Sequence, residues 1–273
     1  MKIGLIGGGR VGVSIFNLLK TKHRITGVYD INTRKQNRAA RLLGVNKLAL
    51  SDLCERSQAI FIATPDDEIS NVYKKIKPML NKTTFLYHFS GILTGNVFTR
   101  PRSVYCASAH PFATFPAIIV NKPKTPYCLF CEGDRNALNV LYQILPNRFF
   151  KIIKIKTKVK VFHHLSGVFA SNLLIGLYSM ARECAAIAWP KKIRDELIIN
   201  IMTQTLTNIR KMGPHKALSG PLKRGDYTVI KKHLQALGRK GDLDKAYRAL
   251  SKVLLHTMPK NKKSKRIAKI LKN

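Results

Sequence analysis

The segment Gly7-Gly8-Gly9-Arg10-Val11-Gly12 lies directly after a short apolar run, Lys2–Ile6, and directly before a stretch of helical spacing, Val11–Lys20. The six residues fit G-x-G-x-x-G. Gly7 permits a tight turn, Gly9 lets the backbone approach a pyrophosphate, and Gly12 lets the helix pack on the strand. The free N–H groups and positive dipole end of that helix would complete a phosphate cradle. A lone match of this kind is an ordinary Gly-rich turn. The strand–turn–helix context, with a second strand ending at Asp30, points instead to dinucleotide binding. Gly7, Gly9, Arg10, Val11 and Gly12 are the expected phosphate-side residues.

The remainder of the first half alternates. Strands are expected at Lys2–Ile6, Arg24–Tyr29, Ala59–Ala63, Thr84–Tyr87, Val104–Ala107 and Tyr127–Cys131. Several are largely apolar, as in a sheet covered on both faces. Helices are expected between them at Val11–Lys20, Lys35–Leu43, Asp67–Lys77 and Arg135–Leu145. Such alternation makes a doubly wound, mainly parallel α/β sheet of the Rossmann type. From about Thr157 only helical spacing follows, at Val161–Ala188, Lys191–Lys211, Tyr227–Leu237 and Asp242–Thr257. The expected organisation is a dinucleotide-binding domain over 1–156. An all-α domain over 157–273 would serve substrate and dimerisation, and would end in a basic tail after Pro259.

Charge would suggest a different partner. The chain of 273 residues carries 49 Lys+Arg against 14 Asp+Glu, a net charge of +35. Residues 1–150 hold +13 of it and residues 151–273 hold +22. The 45% hydrophobic content excludes a disordered polycation. No helix-turn-helix or RNP-type motif supports nucleic-acid binding, which becomes the minor reading. No run reaches the ~18 apolar residues of a membrane span; the longest, Val168–Ala181, is broken by Ser171, Asn172 and Ser179. The start of the chain has no signal-peptide core. The 5 cysteines fit reduced thiols and a cytoplasmic protein. Cys128 and Cys131 have C-x-x-C spacing but no second pair, so no metal site is expected. Cys54, Cys106 and Cys184 read as packing residues, and Trp189-Pro190 as a helix end.

Asp30 would accept bonds from a ribose 2′-OH, favouring NAD, while Asn32, Arg34 and Lys35 could hold the 2′-phosphate of NADP. Thr64 and Pro65 follow a central strand and would border the nicotinamide ribose. Asp66 and Asp67 would cap the next helix. Hydride transfer to a carbonyl or imine needs a proton donor. The candidates are His88, His110, His163, His164 and His215. His88 and His110 would lie at strand ends. His164 and Asn172 would lie on one long helix, i and i+8, with Asn172 buried and in need of a partner. Ser90 would help position substrate. The loop Leu218–Asp226 offers Ser219, Gly220 and Arg224, the last suited to bidentate carboxylate binding, or is a plain interhelical turn with Asp226 as N-cap.

Together these motifs resemble the Rossmann-like oxidoreductases with a helical C-terminal domain, relatives of ketopantoate reductases, pyrroline-5-carboxylate reductases and 3-hydroxyacid dehydrogenases. The pieces that carry it are Gly7–Gly12, Thr64-Pro65-Asp66, His88-Phe89-Ser90-Gly91, His110-Pro111, His164 through Asn172, and Leu218–Asp226. The resemblance implies an NADPH-dependent reduction of a small anionic 2-keto acid, with ketopantoate foremost and a cyclic imine as the alternative. It implies His164 in the place of the lysine acid of ketopantoate reductases, paired with Asn172, and a homodimer formed through the helical domain. Asp30 departs from the implied NADP preference.

Overall fold

The structure, a computed structural model, describes residues 1–98, 103–238, 241–258 and 262–272. Its first compact unit is Met1–Asn172. A single sheet of seven strands runs through it: β1 Lys2–Ile6, β2 Arg24–Tyr29, β3 Ala59–Ile62, β4 Thr84–His88, β5 Val104–Pro111, β6 Tyr127–Gly133 and β7 Phe150–Lys154. The order is β2-β1-β3-β4-β5-β6-β7. β1 to β5 are mutually parallel, β6 turns antiparallel to β5, and β7 follows β6 in parallel. The expected doubly wound sheet is therefore present. β7 was not expected: it is the edge strand, and its lysines Lys151 and Lys154 hide its apolar pattern.

Strand alternation divides the core into two layers. Ile3, Leu5, Phe61, Tyr87, Ala107 and Leu129 pack with α1 Arg10–Leu19, α2 Thr33–Leu43 and α5 Arg135–Ile144. Ile6, Ile60, Ile62, Leu86 and Cys106 pack on the opposite face with α3 Leu50–Arg56 and α4 Asp66–Ile76. α3 is one short amphipathic pair of turns that spacing alone does not separate from a loop. Cys128 and Cys131, an odd number of residues apart on β6, project to opposite faces.

The helical part begins differently from the expectation of one helix over Val161–Ala188. α6 spans Lys160–Ala170, Ser171 leaves helical geometry (φ −128°, ψ −68°), and α7 spans Asn172–Ala188. The compact division falls at 172/173, so α6 belongs with the sheet; the strands themselves end at Lys154, close to position 156. His164 and Asn172 are therefore not on one helix. Asn172 is exposed rather than buried, with Oδ1 accepting from the Ser171 hydroxyl.

The second unit, Leu173–Asn273, contains α7, α8 Lys191–Ala217, the short α9 Pro221–Arg224, α10 Tyr227–Leu237, α11 Asp242–His256 and α12 Lys262–Ile270. Pro190 N-caps α8, and α8 kinks at Gly213. α10 to α12 share a small core of Ile230, Leu255, Ile267 and Leu271. The expected basic tail is thus in large part an amphipathic helix, α12. Pro259, Lys260 and Asn261 lie outside the described residues. Thr157–Ala188, which spacing alone did not mark as a span, is long and apolar enough to cross a membrane by length and composition, and none of its apolar window is buried. Cys184, expected as a packing residue, is exposed on α7.

Candidate active site

The strand order reverses between β1 and β3, and the two loops that leave those strands touch there. Gly7 (φ +103°) sits so close to Ala63 that a Cβ would lie 2.7 Å from its carbonyl, and a Cβ on Gly12 would lie 2.7 Å from Ala63 Cβ. Both glycines are required by close approach. Gly9 is different: a Cβ there would meet only Ala63 O, at 3.7 Å. The space over Gly9 is open, and the N–H groups of the first turn of α1 are uncapped by any side chain. Among the described residues Thr64 Oγ1, buried beside this crevice, has no hydrogen-bond partner, a cost that a bound polar group would relieve. This set fits the diphosphate and ribose of a dinucleotide.

Asp30 closes the β2 side. Its Oδ2 accepts from Gly8 N–H at 2.7 Å and its Oδ1 from Asn32 N–H at 2.8 Å, which holds the carboxylate at the crevice. Asn32 is spent on capping α2, accepting from Lys35 N–H at 3.0 Å. Arg34 and Lys35 are exposed on that first turn. Arg10 is exposed and donates to Pro116 O at 3.0 Å. Ser14 Oγ accepts from Ile119 N–H at 2.8 Å, and Asn17 donates to Val120 O at 2.7 Å. The β5–β6 connection is thus laid along α1. Val11 packs against the core.

Asp66 is the first residue of α4, with Pro65 at the N-cap. Neither Asp66 nor Asp67 caps. Asp66 instead accepts from the Ser90 hydroxyl at 2.6 Å, and Ser90 Oγ accepts from Ile92 and Leu93 N–H. Ser90 is buried and fastens the loop after β4 to α4.

A row of polar residues crosses the α3/α4 face of the sheet. β pairing sets His88 beside Ser108, Ser108 opposite Glu132, and His110 opposite Phe130. His88 is fully buried. Its Nε2 faces Thr94 O at 3.1 Å and its Nδ1 accepts from Ser90 N–H, which assigns the neutral Nε2–H form. Burial, then the charge of Lys160, pushes it down to about 4. His88 is a structural residue of the turn.

Lys160, at the start of α6, reaches into this row. Its ammonium bonds Leu93 O, Ser108 Oγ and Glu132 Oε1. Glu132 also accepts from Gly95 N–H and Thr157 Oγ1. Burial raises the Glu132 carboxyl, but the Ser108 bond and the Lys160 charge outweigh it and hold it below its ordinary value. Both residues escaped the sequence reading. Lys160 is one of several lysines between 151 and 160, while Glu132 was findable as an acid at an inward position of a strand.

One helical turn along, His163 and His164 meet His110. His110 Nδ1 lies 2.9 Å from His163 Nε2, and His163 stacks on Phe130 with centroids 4.0 Å apart. His164 lies against Gly91, where a Cβ would fall 2.1 Å from its Cδ2 and 3.0 Å from His110 Nε2. Burial, then His163, His164 and Lys160, pushes His110 down to about 3. Burial, then His164 and Lys160, lowers His163 as well. The fold thus brings together His110, His163 and His164 around Gly91, at the ends of β4 and β5.

Ser219, Gly220 and Arg224 lie in the second unit. Gly220 N-caps α9, and Arg224 is paired with Asp226 at 2.8 Å. Asp226 is at the N-cap of α10 but makes no side-chain cap bond there. His215 is exposed in the last turn of α8.

Comparison with known proteins gives two family matches, the second of which runs across the 172/173 division. Residues 1–105 match the model of a Rossmann-like domain, and residues 127–254 match that of a domain of unknown function, DUF2520. Each match covers less than half of the chain. A search of curated proteins gives no match. Among solved structures, the fold resembles a putative NADP oxidoreductase from Bacteroides fragilis, at 18% identity and TM-score 0.71 over 98% of each chain. It also resembles a Thermotoga maritima protein, at 24% identity and TM-score 0.71, covering 92% of this chain and 96% of that one. Pyrroline-5-carboxylate reductase from Streptococcus pyogenes follows the whole chain and 97% of its own, at 15% identity and TM-score 0.60.

Proposed function

We propose that this protein is an NAD(P)H-dependent reductase of a small anionic carbonyl or imine compound. The observation that carries the reading is the pairing of an open, glycine-built crevice carrying the orphaned Thr64 hydroxyl with a histidine cluster on the same strand-end edge of the sheet. Ligands of open α/β sheets bind at this edge, outside the carboxyl ends of the strands. Gly9 and the first turn of α1 would hold the diphosphate, Thr64 and Pro65 the nicotinamide side, and Asp30 the adenosine ribose. A bound reduced nicotinamide supplies the hydride. The chain's own residues supply the proton, from the cluster of His110, His163 and His164.

A 2-keto acid such as ketopantoate is the leading substrate class, on the resemblance of the motifs. A pyrroline carboxylate is the second, favoured by the whole-chain likeness to a pyrroline-5-carboxylate reductase. Ser219, Gly220 and Arg224 are proposed to contribute to substrate binding, and the five cysteines to be reduced thiols of a cytoplasmic protein. Turnover of 2-keto acids and pyrroline carboxylates with NADH and NADPH, followed at the nicotinamide absorbance, tests the reading. No binding of either dinucleotide would sink it.

The occupant proposed for the apolar face of α7 and α8 is a second copy of the chain. Ile175, Ile187, Ile201 and Leu206 are more than half exposed there. Residues 161–181 and 197–209 carry no charged side chain although the chain carries +35. An anionic membrane or nucleic acid would be met by lysine and arginine; two like-charged copies meet best where charge is absent.

A further inference from the structure

We propose that His110 and His163 form a two-ring proton wire, in which His110 delivers the proton to the reduced substrate and His163 reloads it from solvent. The inference rests on the reductase reading and deepens it by choosing among the three clustered histidines. His110 Nδ1 and His163 Nε2 face each other at 2.9 Å, so one carries the proton that the other accepts. Among the described residues His110 Nε2 makes no hydrogen bond, and it lies 3.0 Å from where a Cβ on Gly91 would sit, beside the His164 ring that occupies that position. His163 is partly exposed, so its Nδ1 can reach water. Its ring is fixed by the stack on Phe130 and by Phe112, 5.5 Å away. The His164 ring lies 5.6 Å from that of His110.

The step balances with both rings neutral. His163 starts with its proton on Nε2, donated to His110 Nδ1, and His110 starts with its proton on Nε2. As the carbonyl carbon gains the hydride of the reduced nicotinamide, its oxygen takes the His110 Nε2 proton. His110 Nδ1 takes the His163 Nε2 proton, and His163 Nδ1 takes one from a solvent hydronium ion, which becomes water. After the product leaves, a water at the vacated site protonates His110 Nε2, and the Nδ1 proton returns to His163 Nε2. His163 Nδ1 releases its proton to solvent, where it neutralises the hydroxide left behind; both rings are then as they began. The net transfer is one solvent proton to the product hydroxyl. Neither ring becomes an imidazolium, which suits a pair that lies beside the buried ammonium of Lys160 and next to His164. His163 therefore acts through His110 and not on the substrate.

The test uses the full-length protein with three readouts: nitrogen NMR of the imidazoles, NADPH affinity by fluorescence, and turnover in mixtures of H2O and D2O. The wild type should show a scalar coupling between His110 Nδ1 and His163 Nε2, and a turnover dependence on deuterium fraction that needs three protons. His163→Phe keeps a ring on Phe130. His163→Gln keeps an N–H donor for His110 but cannot relay. Both should bind NADPH as the wild type does, lose about 100-fold in kcat, and show a one-proton dependence. Wild-type turnover in His163→Gln would reduce the contact to positioning and overturn the wire. Absence of the coupling in the wild type would overturn it too. Failure of the wild type to bind NADPH would remove the reductase reading and the wire together, and is distinct from bound NADPH with unchanged turnover.

Discussion

Lys160 Nζ lies 3.2 Å from Glu132 Oε1, and both side chains are nearly without solvent contact, at 1% and 3% exposure. This pair fastens the first turn of α6 to β6. Through Ser108, Leu93 and Gly95 it also gathers β5 and the loop after β4. The histidines of α6 depend on it for their position, because they lie within two turns of the anchored residue.

Lys160→Met should leave Glu132 buried without its counter-charge and cost about 3–5 kcal/mol. The double variant Lys160→Met/Glu132→Leu should lose much less, because the desolvation of both charges is relieved together. Urea midpoints of the three proteins measure both. A single variant as stable as the wild type would show that the pair carries no such burden.

Stability should also fall in mild acid. An unfolded histidine titrates near 6.5, whereas His88 is held at about 4 and His110 at about 3. Both folded values are depressed. The stabilisation is therefore whole above pH 6.5 and is lost as pH falls from 6.5 towards 4 and then 3. Each ring that titrates only when unfolded contributes a slope of about 1.4 kcal/mol per pH unit in that window. Urea unfolding between pH 7 and 4.5 should show the slope, and His110→Gln should reduce it. An unchanged slope in that variant would mean that His110 titrates freely in the folded chain.

The sheet and the glycine crevice were readable because short apolar runs and close-approach glycines act locally. Lys2–Ile6, Arg24–Tyr29 and Tyr227–Leu237 have the same bounds in sequence and structure. β7 was hidden because an edge strand needs one apolar face only, and Lys151 and Lys154 broke the run. The break at Ser171 has no Gly or Pro to announce it. Among the site residues, His110 and His164 stood out by type, while the pair that anchors them did not. Lys160 matters through burial, a tertiary property, and nothing local separates it from Lys154, Lys156 and Lys158.

Ile175→Arg with Ile201→Arg should convert a dimer to a monomer, since it places charge on the face where residues 161–181 and 197–209 carry none. Sedimentation velocity at several concentrations reads the state. A wild type that is monomeric throughout would remove the second copy as the occupant of that face.

Asp30 should disfavour the 2′-phosphate of NADPH by direct repulsion. Asp30→Asn removes the charge and keeps one acceptor oxygen, for either Gly8 or Asn32 N–H, while its NH2 group faces the other. The ratio of NADPH to NADH affinity should rise about tenfold, equal to about 1.4 kcal/mol of lost repulsion after screening. Fluorescence titration with both dinucleotides measures it, and an unchanged ratio would place the adenosine ribose elsewhere.

Gly91 separates the loop after β4 from the histidines. An added methyl would lie 2.1 Å from His164 Cδ2, with His110 Nε2 only 3.0 Å away. Overlap at that distance must move His164 or the loop. Gly91→Ala should therefore lower kcat by about tenfold or more, while NADPH affinity, set at the β1 and β3 loops, stays within about twofold. Gly176→Ala is the matched control: a Cβ there meets nothing within 4 Å, and the exchange should stabilise α7 by up to about 1 kcal/mol. Full turnover in Gly91→Ala would show that neither histidine needs the space that glycine leaves.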